Sequence, residues 1–194
     1  MEVIQSATSE AESWRLAQIN PEVTEENTNT PLPELLYRPP QRPFCRFDAS
    51  WKRDDTRHDG RLVIENEDGT TTFGSFASNR SLSPLHAEFG TLLWAMKSSL
   101  ILGHESMAFE SDCLQLVRLI EEEEEWPSLM AEFDEFLTLR SKFLLCSISF
   151  VSHLKNVRAD RLAKGARSQG FCFSHVNSEV PAWLVLDTTW LESS

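Results

Sequence analysis

An Asp-Gly pair, Asp68–Gly69, lies between two runs of strand-forming residues, RLVIENE at 61–67 and TTTFGSFAS at 70–78. Asp-Gly between such runs is the strongest short-range hairpin signal a sequence carries, because tight turns demand a positive φ that glycine adopts without steric cost. It commits the chain to an antiparallel pair. Upstream, FCRFDASWK at 44–52 alternates, with Cys45, Phe47, Ala49 and Trp51 on one face and Arg46, Asp48, Ser50 and Lys52 on the other. That period of two predicts a third strand, joined to the hairpin through a polar loop, KRDDTRHDG. The three strands form an antiparallel meander.

Beyond the meander the period changes. In SPLHAEFGTLLWAMKSSLILG, Leu85, Phe89, Leu92, Leu93 and Met96 recur at helical spacing. Ser83 suits the N-cap, Pro84 the first helical position, and Gly103 the stop. MAFESD reads as a fourth strand and CLQLVRLIEEEEE as a second helix, broken by Pro127. SLMAEFDEFLTLRSKF predicts a third helix. FLLCSISFV predicts a fifth strand, buried by its composition. NVRADRLAKGARSQG predicts a last helix with Leu162, Ala163 and Ala166 inward, ending at Gly170. The order β-β-β-α-β-α-α-β-α implies an α/β domain, a mixed sheet with helices packed on it. Residues 1–41 are Ser-, Glu- and Pro-rich with no apolar period and are expected to be a disordered leader. The domain is expected over 42–175 and a short tail over 176–194.

The N-terminus, MEVIQSATSEAES, has no basic region leading into an apolar core, so no signal peptide is expected. The stretch Leu92–Leu102 is short and carries Lys97, so no membrane span is expected. Four cysteines, Cys45, Cys113, Cys146 and Cys172, lack any C-x-x-C spacing. They fit reduced thiols inside a cell better than a disulfide frame or a zinc site, and leave the compartment open. A net charge of −12 argues against a strongly phosphate-gripping surface. Residues 1–40 hold seven acids and two bases, and the run Glu121–Glu125 holds five more acids, so much of the charge lies away from the remaining central residues.

Four acids stand out by position. Asp48 falls mid-strand between Phe47 and Ala49, where Asp is depleted, although a solvated strand face would accommodate it. Glu88 falls in the early turns of the first helix, a position the helix dipole also favours. Asp112 ends the fourth strand, where it could cap the next helix or line a ligand site. Asp160 falls early in the last helix, where an exposed Asp is unremarkable in itself. Clustered carboxylates raise one another's pKa, and a divalent ion such as Mg²⁺, which prefers hard oxygens, would relieve that repulsion.

Taken together, these blocks resemble the ribonuclease-H-like domains of plant non-LTR retroelements and of host genes derived from them. FDASWK at 47–52 resembles the family's first-strand block, and SPLHAEFGTLLWAMKSSL at 83–100 its helix block, with Glu88 as the second acid. ESDCLQLV at 110–117 resembles the third block and NVRADRLAKGAR at 156–167 the last, with Asp112 and Asp160 as their acids. EWP at 125–127 and PAWL at 181–184 also look like family segments.

The resemblance implies a five-stranded mixed sheet of order 3-2-1-4-5, its first three strands antiparallel. It implies hydrolysis of the RNA strand of an RNA–DNA hybrid by two Mg²⁺ or Mn²⁺ ions about 4 Å apart. Asp48 would bridge both ions, Glu88 and Asp112 would hold the first, and Asp160 the second. Substrate contacts are implied at Ser50, Trp51, Asn156, Arg158 and Arg161, with Lys155 and Lys164 on the same basic stretch. Two departures are visible. Where cellular ribonucleases H carry a mobile histidine, ten residues before the last acid, this chain has Phe150; His153 follows three residues later, at a place where the retroelement branch often holds a basic residue. A glycine pair entering the second strand is reduced to Gly60 followed by Arg61. His86, beside Glu88, suits structural support and His153 a solvated position. An active hybrid-cutting ribonuclease is therefore set against a catalytically silent, retroelement-derived module that binds nucleic acid or a protein partner; no protein partner can be named.

Overall fold

The computed structural model of the chain describes residues 43–52, 57–79, 81–122, 126–156 and 173–178. The predicted leader, the last helix with Arg158, Asp160 and Arg161, and most of the tail lie outside the described residues. The strands are β1 (Phe44–Ser50), β2 (Arg57–Glu65), β3 (Thr71–Asn79), β4 (Ser106–Ser111), β5 (Leu145–Phe150) and β6 (Phe173–Asn177). The α-helices are α1 (Pro84–Ile101), α2 (Leu114–Glu122) and α3 (Met130–Arg140), the last entered through a 3₁₀ turn at Pro127–Leu129.

The sheet has the order β5-β4-β1-β2-β3-β6. Read from β3, this is the predicted 3-2-1-4-5 with a sixth strand added outside β3. β1, β2 and β3 form the antiparallel meander, whereas β4 runs parallel to both β1 and β5. At the hairpin, Gly69 takes a φ of 84° and its N–H donates to the Asn66 carbonyl at 3.0 Å. Asn66 N–H donates in turn to Thr70 O at 2.9 Å, closing a three-residue loop with its αL residue last.

α1 is built as its sequence dictates. Ser83 caps it by accepting His86 N–H, and Pro84 opens the first turn. At the far end His104 N–H donates to Ser99 O and Gly103 N–H to Leu100 O, the paired bonds of a Schellman stop. Leu85, Phe89, Leu92, Leu93 and Met96 are all buried against Cys45, Phe47, Leu62, Ile64 and Phe109 of the sheet. Phe89 lies edge-on to Phe133 and Phe136 of α3 at 6.4 and 6.2 Å. Full burial of such side chains contributes roughly 1.5–3 kcal/mol each. Among the described residues no helix is long and apolar enough to cross a membrane.

Three local expectations change. β2 begins at Arg57, inside the segment read as polar loop, because Arg57–Gly60 are laddered to β3 and two of the four, Asp59 and Gly60, also pair with β1. Two-sided pairing overrides the polar composition. β5 is not the buried strand its composition suggests: Leu145 is 72% and Phe150 47% exposed. It pairs with β4 at the end of the sheet order, so fewer neighbours cover it. β6 was not foreseen. Its five residues pair with Phe73–Ala77, and Trp94 of α1 donates from Nε1 to Ser174 Oγ at 3.0 Å. The strand runs two residues beyond the boundary placed at 175.

Gly60 is required by close approach. A Cβ there would stand 2.0 Å from Phe76 Cε1 and 2.5 Å from Thr91 Oγ1. Gly60→Ala is expected to cost about 1–3 kcal/mol through overpacking. The check is a lower urea midpoint at unchanged slope; an unchanged midpoint would show that the ring moves aside freely.

Candidate active site

β1 and β4 are parallel, so their C-terminal ends lie at the same edge of the sheet. Asp48 stands two residues before the end of β1, and Asp112 directly follows β4. Ligand sites in α/β sheets form at such strand ends. Asp48 is 9% exposed and lies in register opposite Arg61 of β2, which is fully buried. Directly opposed residues of an antiparallel pair share a face, with Cβ atoms about 5 Å apart. The departure from a glycine pair therefore places an arginine in register with the first carboxylate.

Glu88 comes to the same place from α1. Its Oε1 accepts the N–H of Ala49, one residue past Asp48, at 3.3 Å. Its Oε2 is buried with no hydrogen-bond partner among the described residues. Burial, followed by the negative charges of Asp48 and Asp112, pushes the Glu88 carboxyl well above the ordinary carboxylate range, against a smaller lowering by the Ala49 bond. Cys113 stands in the same field. Burial, then Glu88, drives its thiol up to about 12, which keeps it protonated and unreactive.

Asp112 is held at both oxygens. Its Oδ2 shares a 2.6 Å hydrogen bond with His153 Nδ1, and its Oδ1 accepts Asn156 Nδ2 at 3.2 Å. The turn into α2 uses Ser111 Oγ to accept Cys113 N–H, which leaves the Asp112 carboxylate to those partners. His153, expected as a solvated side chain, is 66% exposed and still engages Asp112. Phe150 pairs with Ser111 at the end of β5, so the imidazole three residues later is the ring that meets this acid.

Asn156, expected at the substrate surface, is fully buried instead. It spends its amide on Asp112 and on the Phe47 carbonyl at 3.1 Å, because the parting strands leave those acceptors to be satisfied. Trp51 donates from Nε1 to Ser81 O at 3.0 Å, and Ser50 closes β1 half-buried. His86 supports the helix start as expected, between Ser83 Oγ at 2.8 Å and Ser128 O at 3.0 Å.

Three of the four predicted acids thus converge from β1, α1 and the end of β4, while Asp160 lies outside the described residues. Among the described residues no three His, Cys, Asp or Glu side chains form a preassembled ligand group. Mutual repulsion keeps ionised carboxylates apart. The donor set nonetheless fits a hard divalent ion: all three groups are carboxylates, and Glu88 brings a buried oxygen with no other partner.

The shift at Glu88 has a definite sign in stability. A carboxyl whose folded pKa is raised binds its proton more tightly in the folded state, so stability falls as pH rises above the unfolded value, 4.5 for Glu. In EDTA the wild type is expected to lose melting temperature from about pH 4.5 upward, as the unfolded chain releases the proton that folded Glu88 keeps, and Glu88→Gln to flatten that part of the profile. Identical profiles would show that the charge is accommodated without cost.

The reverse transcriptase-like family profile matches residues 46–166. No curated protein matches the chain. Among solved structures, the ribonuclease H1 of the halophilic archaeon Halobacterium salinarum is similar at 21% identity and TM-score 0.61, over 66% of this chain and 98% of that one. The N-terminal RNase H domain of a Mycobacterium tuberculosis protein is 21% identical at TM-score 0.55, over 62% and 95%. LC11-RNase H1, from a compost metagenome and solved with an RNA/DNA hybrid, is 18% identical at TM-score 0.56, over 64% and 99%. The fold is ribonuclease-H-like.

Proposed function

The chain belongs to the reverse transcriptase-like family, and from that membership we propose that it is a metal-dependent endoribonuclease that hydrolyses the RNA strand of RNA–DNA hybrids. The observation that carries the reading is Glu88: a buried carboxylate with one unpartnered oxygen, in the field of Asp48 and Asp112 at one end of the sheet. A stretch of chain folded for stability alone would not bury that charge among two others. The LC11 enzyme's hybrid complex on the same fold supports the substrate class.

Asp48, Glu88 and Asp112 would hold Mg²⁺ or Mn²⁺, with Asp160 completing a site for two ions. Bound there, the ions supply Lewis-acid activation of water and stabilise charge on the leaving 3′ oxygen. The protein's own part is orientation. The Ala49 N–H fixes one Glu88 oxygen and leaves the other open, while Asn156 and His153 aim Asp112. Arg61 lies in register opposite Asp48 on β2. Ser50 and Trp51 at the exit of β1, with Arg158 and Arg161, are the proposed hybrid contacts, and RNA would be told from DNA through its 2′-hydroxyls. We assign the domain to 42–177, so that it takes in all of β6, and residues 1–41 to a leader.

The second reading is a silent module that binds nucleic acid or a protein. It is favoured by Phe150 in place of the mobile histidine and by the net charge of −12. Incubation of a labelled hybrid with Mg²⁺ or Mn²⁺, beside an EDTA control, separates the two. Metal-dependent cutting is expected, and none from folded protein would leave the silent module.

A further inference from the structure

We propose that Asn156 is a positioning residue that sets the gap between β1 and β4, and with it the spacing of Asp48 and Asp112. The inference rests on the metal-site reading above. The parallel register between β1 and β4 has its last pair at Arg46 and Glu110. Past that point β1 continues against β2 as far as Ser50 opposite Asp59, while β4 goes on beside β5 to Ser111. The strands part just where the acids stand, and Asn156 sits at the opening. It follows the 3₁₀ turn His153–Lys155 and is fully buried.

One NH₂ group closes the opening. Asn156 Nδ2 donates to the Phe47 carbonyl, one residue before Asp48, at 3.1 Å, and to Asp112 Oδ1 at 3.2 Å. The amide can face only one way, since both partners are acceptors and only the nitrogen end donates. Its Oδ1 is buried with no hydrogen-bond partner among the described residues. The amide is held there by its two donor bonds. With His153 on the other oxygen, Asp112 is gripped at both ends, and the backbone carrying Asp48 is tied to the same grip. Asn156 thus acts through Asp112 and β1, without touching the reacting atoms.

Residues that orient metal ligands typically change metal affinity 10- to 100-fold when lost. The test is calorimetric titration of Mn²⁺ into the full chain, with Asp48→Asn defining the binding that belongs to the site. Asn156→Leu keeps the volume without a donor, and Asn156→Ser keeps a hydroxyl too short to reach both acceptors. Both are expected to fold, by far-UV circular dichroism, and to bind Mn²⁺ roughly tenfold or more weakly. A folded variant with wild-type affinity overturns the inference while leaving the metal site standing. Loss of fold in both variants also overturns it, since the role would then be structural. A wild type that binds no Mn²⁺ is a separate result, which removes the functional reading itself and this inference with it.

Discussion

Asp48→Asn is expected to lower RNA-strand cleavage by more than about a thousandfold, some 4 kcal/mol of transition-state stabilisation, while far-UV circular dichroism stays unchanged. The substitution is nearly isosteric and leaves the β1 backbone free to keep every ladder bond with β2 from Phe44–Glu65 to Ser50–Asp59. What it removes is one charge. That loss relieves Glu88, whose carboxyl is pushed up in part by Asp48, and weakens the field at Arg61 across the strand pair. The two effects oppose each other, so the melting temperature should move little in EDTA. The missing anionic ligand has no such compensation, because a neutral amide oxygen binds a hard divalent ion far less well. An active Asp48→Asn protein would discard the site assignment. An unfolded one would make Asp48 a structural residue.

The second large effect is stabilisation by metal. An ion that binds only the folded chain adds about 2.7 kcal/mol at a concentration a hundredfold above its dissociation constant. For a domain of this size that is a rise of roughly 5–10 °C in melting temperature. Mn²⁺ and Mg²⁺ should both produce it, and Glu88→Gln should lose most of it. The same variant should be more stable than wild type in EDTA at neutral pH, since it no longer carries a carboxyl that folding must either keep protonated or bury as a charge beside Asp48 and Asp112. A variant stabilised without metal and insensitive to metal is the signature of a ligand held under electrostatic strain. Equal metal shifts in wild type and Glu88→Gln would place the bound ion elsewhere, and no shift in either would favour the silent module.

Local signals made much of this fold legible in the sequence. Asp68–Gly69 announced the hairpin, Ser83–Pro84 and Gly103 bracketed α1, and its apolar period named the residues that meet the sheet. Hairpins first and crossovers after imply only a mixed sheet; the order of the first five strands came from the family resemblance. What was not legible depends on partners far away in sequence. The polar start of β2 is a strand only because two neighbours ladder onto it. Leu145 and Phe150 are exposed because of where β5 stands in the sheet, which its composition does not encode. β6 is five residues long and exists through its pairing with β3 and the Trp94 contact.

The site divides in the same way. Asp48, Glu88 and Asp112 are picked out by the ordered blocks that resemble the family, since none of them is distinctive by residue type and place alone. Their supports could not. Asn156 reaches the Phe47 carbonyl across 109 positions of sequence, and His153 reaches Asp112 across 41. Nothing local distinguishes a bracing Asn from one that greets substrate. Only Arg61 left a trace, as the residue standing where a second glycine was expected, and its register opposite Asp48 gives that trace a physical meaning.

A strand-resolved cleavage assay tests the ribonuclease assignment most directly. An RNA–DNA hybrid labelled differently on each strand is incubated with the folded full chain in Mg²⁺ and in Mn²⁺, with EDTA, duplex DNA and Asp48→Asn as controls. Cuts in the RNA strand alone, dependent on metal and absent from the variant, are the predicted result. Cutting of DNA, cutting in EDTA, or no cutting by folded protein that binds Mn²⁺ would each contradict it.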